Sequence, residues 1–416
     1  MTARLRLVVL GMMGRMPLAG VAWQVLHYLE GFRRLGFAVY YVEDTNEWSY
    51  DPDQNTITDD PTYTVNYLSA VMARYGFSDR WAYCAAAQGG RMFGLAAAEV
   101  RRLFEEADAL VNLTGSTVLR PEHQRVPVRI YLETDPVLPQ IEVAKGSASY
   151  IELLNAHTHH FSYGENLGAP DCCVPNDRFD YRATRQPVVL DWWTTSTTTS
   201  PPHVTPSLPG PRFTTVANWR QSGKDIEWKG EAYTWSKHHE FLKFVDLPRR
   251  SGQSLELALA LKGQKGEGEH TWIGLSDDDA EAIRLLTSHG WRVVDAMTLS
   301  RHIEPYRDYI LGSRGEFTVA KDQNVRLRSG WFSDRSACYL AAGRPVITQD
   351  TAFGKFLPTG EGLFAFNSIN DVLAAFQAVD ADYERHRRAA RAIAEEYFKA
   401  ETVLTKLVEE SGLAPE

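Results

Sequence analysis

Cysteine is scarce in this 416-residue chain: Cys84, Cys172, Cys173 and Cys338 are the full set, and two of them are neighbours. Four thiols so spaced make no disulfide framework, and a reducing cytoplasm is the expected setting. No run of eighteen or more uncharged apolar residues occurs, which removes a transmembrane helix. The apolar start Leu7 to Leu10 is not expected to be a secretion signal, because Gly14, Arg15 and Pro17 interrupt it and no small-residue cleavage site follows. Positive charge is in deficit as well: 44 Lys and Arg stand against 53 Asp and Glu, a formal net charge of −9. No global field exists to collect nucleic acid or an anionic membrane. With 30 Gly, 20 Pro, 44% hydrophobic and 23% charged residues, the collagen-like and disordered classes are excluded, and the length implies at least two packed units.

What the chain does contain is alternation. Leu5 to Leu10 is β-branched and apolar, Gly11-Met12-Met13-Gly14 is a turn, and Gly20 to Leu35 carries apolar residues at helical spacing. Gly36 ends that helix, and Ala38 to Val42 forms a second strand finishing in Glu43-Asp44. This is a β-α-β unit, whose crossover favours a doubly wound parallel sheet. Helices are expected around Thr64 to Tyr75 and Leu95 to Glu106, and strands at Ala109 to Leu113 and Val128 to Leu132. Those two strands run into Asn112-Leu113-Thr114-Gly115-Ser116 and Glu133-Thr134-Asp135-Pro136. Open α/β sheets bind ligands at the carboxyl ends of their strands, which makes Gly14, Gly115, Glu133 and Asp135 candidates for one wall of a cleft. Each also reads as a plain turn residue.

Between Trp192 and Pro211 the text becomes Thr-Thr-Ser-Thr-Thr-Thr-Ser-Pro-Pro with three further prolines, the composition of a linker. The expected division is therefore an N-terminal domain over 1–191, a linker over 192–212 and a C-terminal domain over 213–416. The second domain repeats the alternation: strands at Phe213 to Ala217, Leu255 to Leu261, Trp291 to Asp295, Phe317 to Ala320 and Pro345 to Thr348, with helices between. Helices Ile369 to Ala378, Tyr383 to Phe398 and Ala400 to Glu410 close it. The expected fold class is α/β, two Rossmann-like doubly wound domains facing a cleft.

The most informative stretch is Arg326 to Ile347. A Ser329-Gly330 loop leads into a helix whose cap is Ser333 or Asp334, and Gly343-Arg344-Pro345 turns into a strand. The N–H groups of such a helix start attract a phosphate or diphosphate, and Arg328 or Arg335 adds charge. An ordinary capped helix is the competing reading. After the next strand, Gln349, Asp350 and Thr351 offer the amide, carboxylate and hydroxyl mixture that sugar hydroxyls need, although a turn explains them too.

The segment Ala341-Ala342-Gly343-Arg344-Pro345-Val346-Ile347 resembles the small-x-Gly-x-Pro-Val-Ile text in the nucleotide-sugar domain of GT-B glycosyltransferases. The opening β-α-β unit looks like that group's acceptor domain, and the whole chain resembles bacterial family-1-type or spore-maturation-type glycosyltransferases. The resemblance implies a transferase that moves a sugar from a nucleotide diphosphate-sugar to a small-molecule or glycan acceptor. It implies no cofactor beyond that co-substrate. It places the donor diphosphate near Arg328, Ser329, Gly330, Ser333, Asp334 and Arg335, the donor sugar near Gln349, Asp350 and Thr351, and the acceptor near Gly14, Trp23 and Gly115. Retaining members carry two glutamates separated by seven residues, and here those positions read Gly330 and Cys338. Stereochemistry therefore stays open, and Glu316, Lys321 and Asp334 are the substitutes within reach. A nucleotide-sugar epimerase of the same architecture and a non-catalytic sugar-nucleotide-binding protein are the alternatives.

For inverting transfer a carboxylate or histidine takes the acceptor's proton. Asp135 is the first choice, Glu133 the second, and His160, with His157 and His159, the third. The H-x-H-H and Cys-Cys spacings do not match ordinary zinc sites, and no Asp-x-Asp triplet is expected at a strand end, so transfer without a metal ion is expected. Trp219, Trp228, Tyr233 and Trp235 lie among Lys224, Lys229 and Lys237. An interdomain surface explains them better than nucleic acid, and Lys224 or Arg220 is placed to reach a donor phosphate.

Overall fold

The computed structural model describes residues 4–194, 211–221, 223–260 and 276–413, with the backbone of 264–265 and 272–273. The expected linker falls largely on residues 195–210, outside the described residues; its first residues, Trp192 and Trp193, belong to a short 3-10 helix, Leu190–Trp193.

The chain divides into two units. In the first, eight strands lie in the order Tyr181–Ala183, His159–Ser162, Val128–Glu133, Ala109–Leu113, Arg6–Leu10, Ala38–Glu43, Trp81–Ala85 and Arg91–Gly94. The pairs are parallel apart from Trp81–Ala85 with Arg91–Gly94, which are antiparallel. Leu7, Val8, Val9 and Leu10 are all fully buried, as a central parallel strand covered on both faces requires. Helix Ala19–Arg34 returns the chain to the next strand and stops at Gly36, whose φ of +94° suits a residue without Cβ. Gly36 N–H donates to Arg33 O and Phe37 N–H to Phe32 O, a paired closure of the last turn.

In the second unit six strands lie in the order Arg292–Asp295, Ser254–Ala260, Arg212–Asn218, Gly315–Thr318, Val346–Gln349 and Leu363–Phe366, every pair parallel. Its core is aromatic: Phe213, Phe241, Phe244, Trp291, Phe317, Phe366 and Phe376 pack in one cluster with Leu255, Leu257 and Leu259. In both sheets the strand order reverses beside the first strand, between Arg6–Leu10 and Ala109–Leu113 and between Arg212–Asn218 and Gly315–Thr318. The crevice at such a reversal is where a doubly wound sheet takes its ligand.

The division differs from the sequence-based one at three places, the first being that the second unit begins at Leu190. Ala169–Cys173 belongs to the second unit, and Phe398–Glu416 belongs to the first. Helix Ala400–Glu410 lies against helix Ala19–Arg34: a Cβ on Gly31 would stand 2.4 Å from Leu404 Cδ1, and Arg34 pairs with Glu401 at 3.1 Å. Val188 N–H donates to Phe398 O at 2.7 Å and Ala400 N–H to Val188 O at 2.9 Å, which fixes the entry of that helix. A stripe of Val403, Leu404, Leu407 and Val408 is buried there, and this apolar face decides which unit the helix joins.

Candidate functional site

At the carboxyl edge of the first unit, strand Val128–Glu133 runs into Thr134-Asp135-Pro136-Val137 and helix Leu138–Ala144. The Glu133 side chain is buried and turned under this loop. Its Oε2 accepts from Ser162 Oγ at 2.6 Å and from Gln140 Nε2 at 2.7 Å, while Gln140 Oε1 accepts the Val137 N–H at 2.7 Å. Val137 itself has φ of +98°, a left-handed value strained for a β-branched residue, and it is fully buried. Burial pushes the Glu133 carboxyl up to about 8, against the hydrogen bonds from Ser162 and Gln140, and the Asp135 charge adds to the rise. Glu133 thus holds the turn from beneath. Asp135 is half-buried at the edge itself.

His160 departs from expectation. Its Nε2 donates to Leu154 O at 2.9 Å, and its ring lies among Phe179, Tyr181 and Tyr131 with centroids 5.1, 5.8 and 6.1 Å away. The ring packs a strand against a helix, and burial pushes its pKa down. His157 is deeper still: Nδ1 donates to Leu153 O at 2.8 Å, Nε2 accepts from Asn112 at 3.1 Å, and burial pushes it down to about 3.

Of the acceptor-side residues, Trp23 is 2% exposed and meets Tyr75 edge-on, so it belongs to the core and forms no cleft wall. Gly14 is buried, and a Cβ there would stand 2.7 Å from Leu68 Cδ1 and 2.8 Å from Thr64 Cγ2. Gly115 sits half-buried at the edge with φ of +61°, next to Thr114 at +59°. A Cβ on Gly115 would stand 2.6 Å from Tyr131.

The residue that sequence reasoning passed over is Glu43. Its Oε2 accepts from Gly14 N–H and Tyr41 Oη, both at 2.6 Å, its Oε1 accepts from Arg15 N–H at 2.5 Å, and Tyr41 Oη accepts from Met13 N–H at 2.8 Å. One carboxylate fills the amide nest of the glycine turn and leaves no place there for a phosphate. Burial raises Glu43 to about 7 despite these donors. Asp51-Pro52-Asp53 does follow a short strand, Ser49–Asp51, contrary to the expected absence of such a triplet. Its Asp51 carboxylate accepts from the Asp53 and Gln54 N–H groups and from Gln54 Nε2, the work of a turn former. Among the described residues no group of three or more His, Cys, Asp or Glu side chains is placed to hold a metal ion.

The carboxyl edge of the second unit is built of indoles and cations. Lys321 Nζ lies 3.2 Å and Lys224 Nζ 4.7 Å from the Trp235 ring centroid, and Lys237 Nζ is 5.5 Å from that of Trp331. Trp235 is fixed by its indole N–H on Gln221 Oε1 at 3.0 Å and its backbone N–H on Asp225 Oδ1 at 2.8 Å. Gly330, φ +79°, donates to Thr351 O at 2.7 Å, and Thr351 Oγ1 donates to Trp331 O at 2.6 Å. Ser329 Oγ donates to Asn324 Oδ1 at 2.8 Å. Ser329 and Thr351 are therefore buried fasteners of the loop. Gln349 is also occupied, donating to Glu240 Oε2 at 2.8 Å and accepting from Ala320 N–H at 3.2 Å. Asp350 stays half-buried at the edge, with Oδ1 on Ala352 N–H at 3.0 Å.

Helix Asp334–Ala341 begins at Ser333, but no side-chain hydrogen bond from Ser333 caps it. Arg335 turns inward, against expectation: Nε reaches Glu316 Oε1 at 2.5 Å, Nη1 Val216 O at 2.5 Å and Nη2 Thr318 Oγ1 at 2.9 Å. Ser336 Oγ donates to the other Glu316 oxygen at 2.5 Å, so a fully buried Glu316 and a largely buried Arg335 form one internal pair. Gln323, on the short helix Asp322–Arg326 beyond strand Gly315–Thr318, is fully buried and neither amide atom has a hydrogen-bond partner. No periodicity marks this residue in the sequence.

No protein-family model matches the chain, and no curated protein does. Solved structures do. Anabaena Alr3699/HepE in complex with UDP and glucose is 11% identical, with 98% of this chain and 100% of that one covered at a TM-score of 0.55. An alpha-glucosyltransferase in complex with UDP and a 13-mer DNA is 9% identical over 99% and 100% of the two chains, with a TM-score of 0.57. Sucrose-phosphate synthase from Thermosynechococcus elongatus is 11% identical over 99% and 100%, with a TM-score of 0.55. Two doubly wound units in this order, matched over nearly the whole chain, are the fold of the GT-B glycosyltransferases, and this chain has that fold.

Proposed function

We propose that this protein is a glycosyltransferase that moves a sugar from a nucleotide diphosphate-sugar to a hydroxyl of a small molecule or glycan, with no metal ion taking part. The observation that carries the reading is the cationic, indole-lined strand edge of the second unit, where Lys224 and Lys321 lie over Trp235 and Arg328 stands on the loop that leads to a helix start without a side-chain cap. A leaving diphosphate gains negative charge as its bond to the anomeric carbon breaks, and fixed cations and helix-terminal N–H groups stabilise that charge. Asp135 accepts the acceptor proton as the new C–O bond forms, and Glu133 beneath it sets the turn. Asp350 approaches the donor sugar, and Gly115 lies on the acceptor side. UDP complexes among the similar structures make UDP-sugars the first donors to try.

Gly330 and Cys338, standing where retaining relatives carry glutamates, favour a second reading in which the protein binds a sugar nucleotide without turnover. A thermal-shift series with nucleoside diphosphates and their sugars, followed by an assay for nucleotide release with mixed acceptors, decides between them. A ligand at a hundred times its Kd stabilises the folded state by about 2.7 kcal/mol. A shift with release supports transfer, a shift without release supports the binding protein, and no shift with any nucleotide sinks both.

A further inference from the structure

Segment Ala169–Cys173 belongs to the second unit, although Gly168 and Val174 on either side belong to the first. It is fastened there by Cys173 N–H on Leu327 O at 2.9 Å and by a carboxylate between two cations. Arg328 Nε and Nη2 both stand 3.0 Å from Asp171 Oδ2, and Lys355 Nζ pairs with Asp171 Oδ1. Each oxygen of one carboxylate thus faces a different cation. Arg328 has φ of +53°, a conformation disfavoured for a residue with a Cβ. Its neighbours Ser329 and Gly330 are pinned to Asn324 and Thr351. The guanidinium is aimed by a braced loop, and both cations keep 41% of their side-chain surface open to solvent.

We propose that Arg328 and Lys355 form an anion clamp for the donor's diphosphate and that Asp171 is its built-in occupant, displaced when the donor binds. The inference rests on the reading of Arg328 as a donor-diphosphate group. A diphosphate offers the two cations more negative charge and more acceptor oxygens than a single carboxylate does. Asp171 is 38% exposed, so on release its carboxylate returns to water at small cost, and exposed ion pairs of this kind are individually weak. The occupant keeps the cations paired while the site is empty and lowers donor affinity by the strength of its own contacts.

The test is calorimetric titration of UDP, inorganic pyrophosphate and uridine into the full chain and into D171N, R328Q, K355Q and D171N/R328Q. D171N is expected to bind UDP and pyrophosphate about three to ten times more tightly, with uridine unchanged. R328Q and K355Q weaken both anions, and the gain from D171N disappears in the R328Q background. Equal or weaker anion binding by D171N with a wild-type melting temperature overturns the proposal; if D171N does not fold, D171S is judged by the same criterion. UDP affinity indifferent to R328Q would remove the donor reading of Arg328 and this inference with it. Weakening by R328Q without strengthening by D171N removes this inference alone.

Discussion

The two carboxyl edges are chemical opposites. At the edge of the first unit two acids, Glu43 and Glu133, are drawn inward, each pushed up by burial and each bracing a loop. In the second the edge is basic, with Lys224 and Lys321 against Trp235 and Arg328 and Lys355 around Asp171. One edge suits taking a proton from a nucleophile, the other suits receiving an anion. The same reversal of strand order beside the first strand yields both, because a doubly wound sheet fixes where loops gather and leaves their chemistry to the residues there.

The contrast breaks first at Asp135. Asp135→Asn keeps the turn and removes the proton acceptor, so kcat for nucleotide release is expected to fall by about 10²–10⁴-fold with UDP affinity unchanged. A loss under tenfold would take the basic role away from this edge.

Arg335→Met sharpens the other side by separating a cation paired inside the unit from those proposed to meet the donor. It leaves Glu316 buried without its partner, and denaturant unfolding is expected to show a loss of about 3–5 kcal/mol, while the folded fraction binds UDP within about twofold of wild type. A large drop in UDP affinity at unchanged stability would return Arg335 to the donor site.

Buried acids also set a pH dependence. The folded values of Glu43, about 7, and Glu133, about 8, lie above the usual 4.5, so between these limits the folded chain binds more protons than the unfolded one. Stability contributed by these groups is full below about pH 4.5 and declines as pH rises towards 8. Glu133→Gln, which cannot ionise, is expected to flatten that decline in melting temperature between pH 5 and 8; a slope equal to wild type would refute the raised value. The smallest effect is expected for Lys321→Met, which removes the cation stacked on Trp235 at a cost of about 1–2 kcal/mol and shifts tryptophan fluorescence. No change in either would make that stacking incidental.

Strands Ala109–Leu113 and Val128–Glu133 and helix Ala400–Glu410 were legible because continuous apolar runs or a clear helical stripe mark them. Strand His159–Ser162 is hidden by its two histidines, and hairpin Ser49–Asp51 with Thr56–Thr58 by its polar, exposed second arm. Helix Leu138–Ala144 opens on a proline and lies beside the strained turn, where local propensity says little. Asp135 could be placed at a strand edge from the sequence, since strand ends predict edges, and Arg328 in the loop before a helix. The inward turn of Arg335 could not, because its partner Glu316 comes from a neighbouring strand. Glu43 escaped for a like reason: two of its three hydrogen-bond partners named above are backbone N–H groups 28 and 29 residues upstream, invisible to any local pattern.

The return of helix Ala400–Glu410 to the first unit has a consequence for the order of synthesis. The residues that cover Gly31 emerge from the ribosome only after the whole second unit has been made. At about 5–20 residues per second, the first unit waits roughly ten seconds or more for its last helix while the second is translated. A fragment ending at the Thr-rich stretch would therefore expose the apolar stripe that Leu404 and Leu407 cover, and a soluble first unit needs residues 398–413 supplied with it.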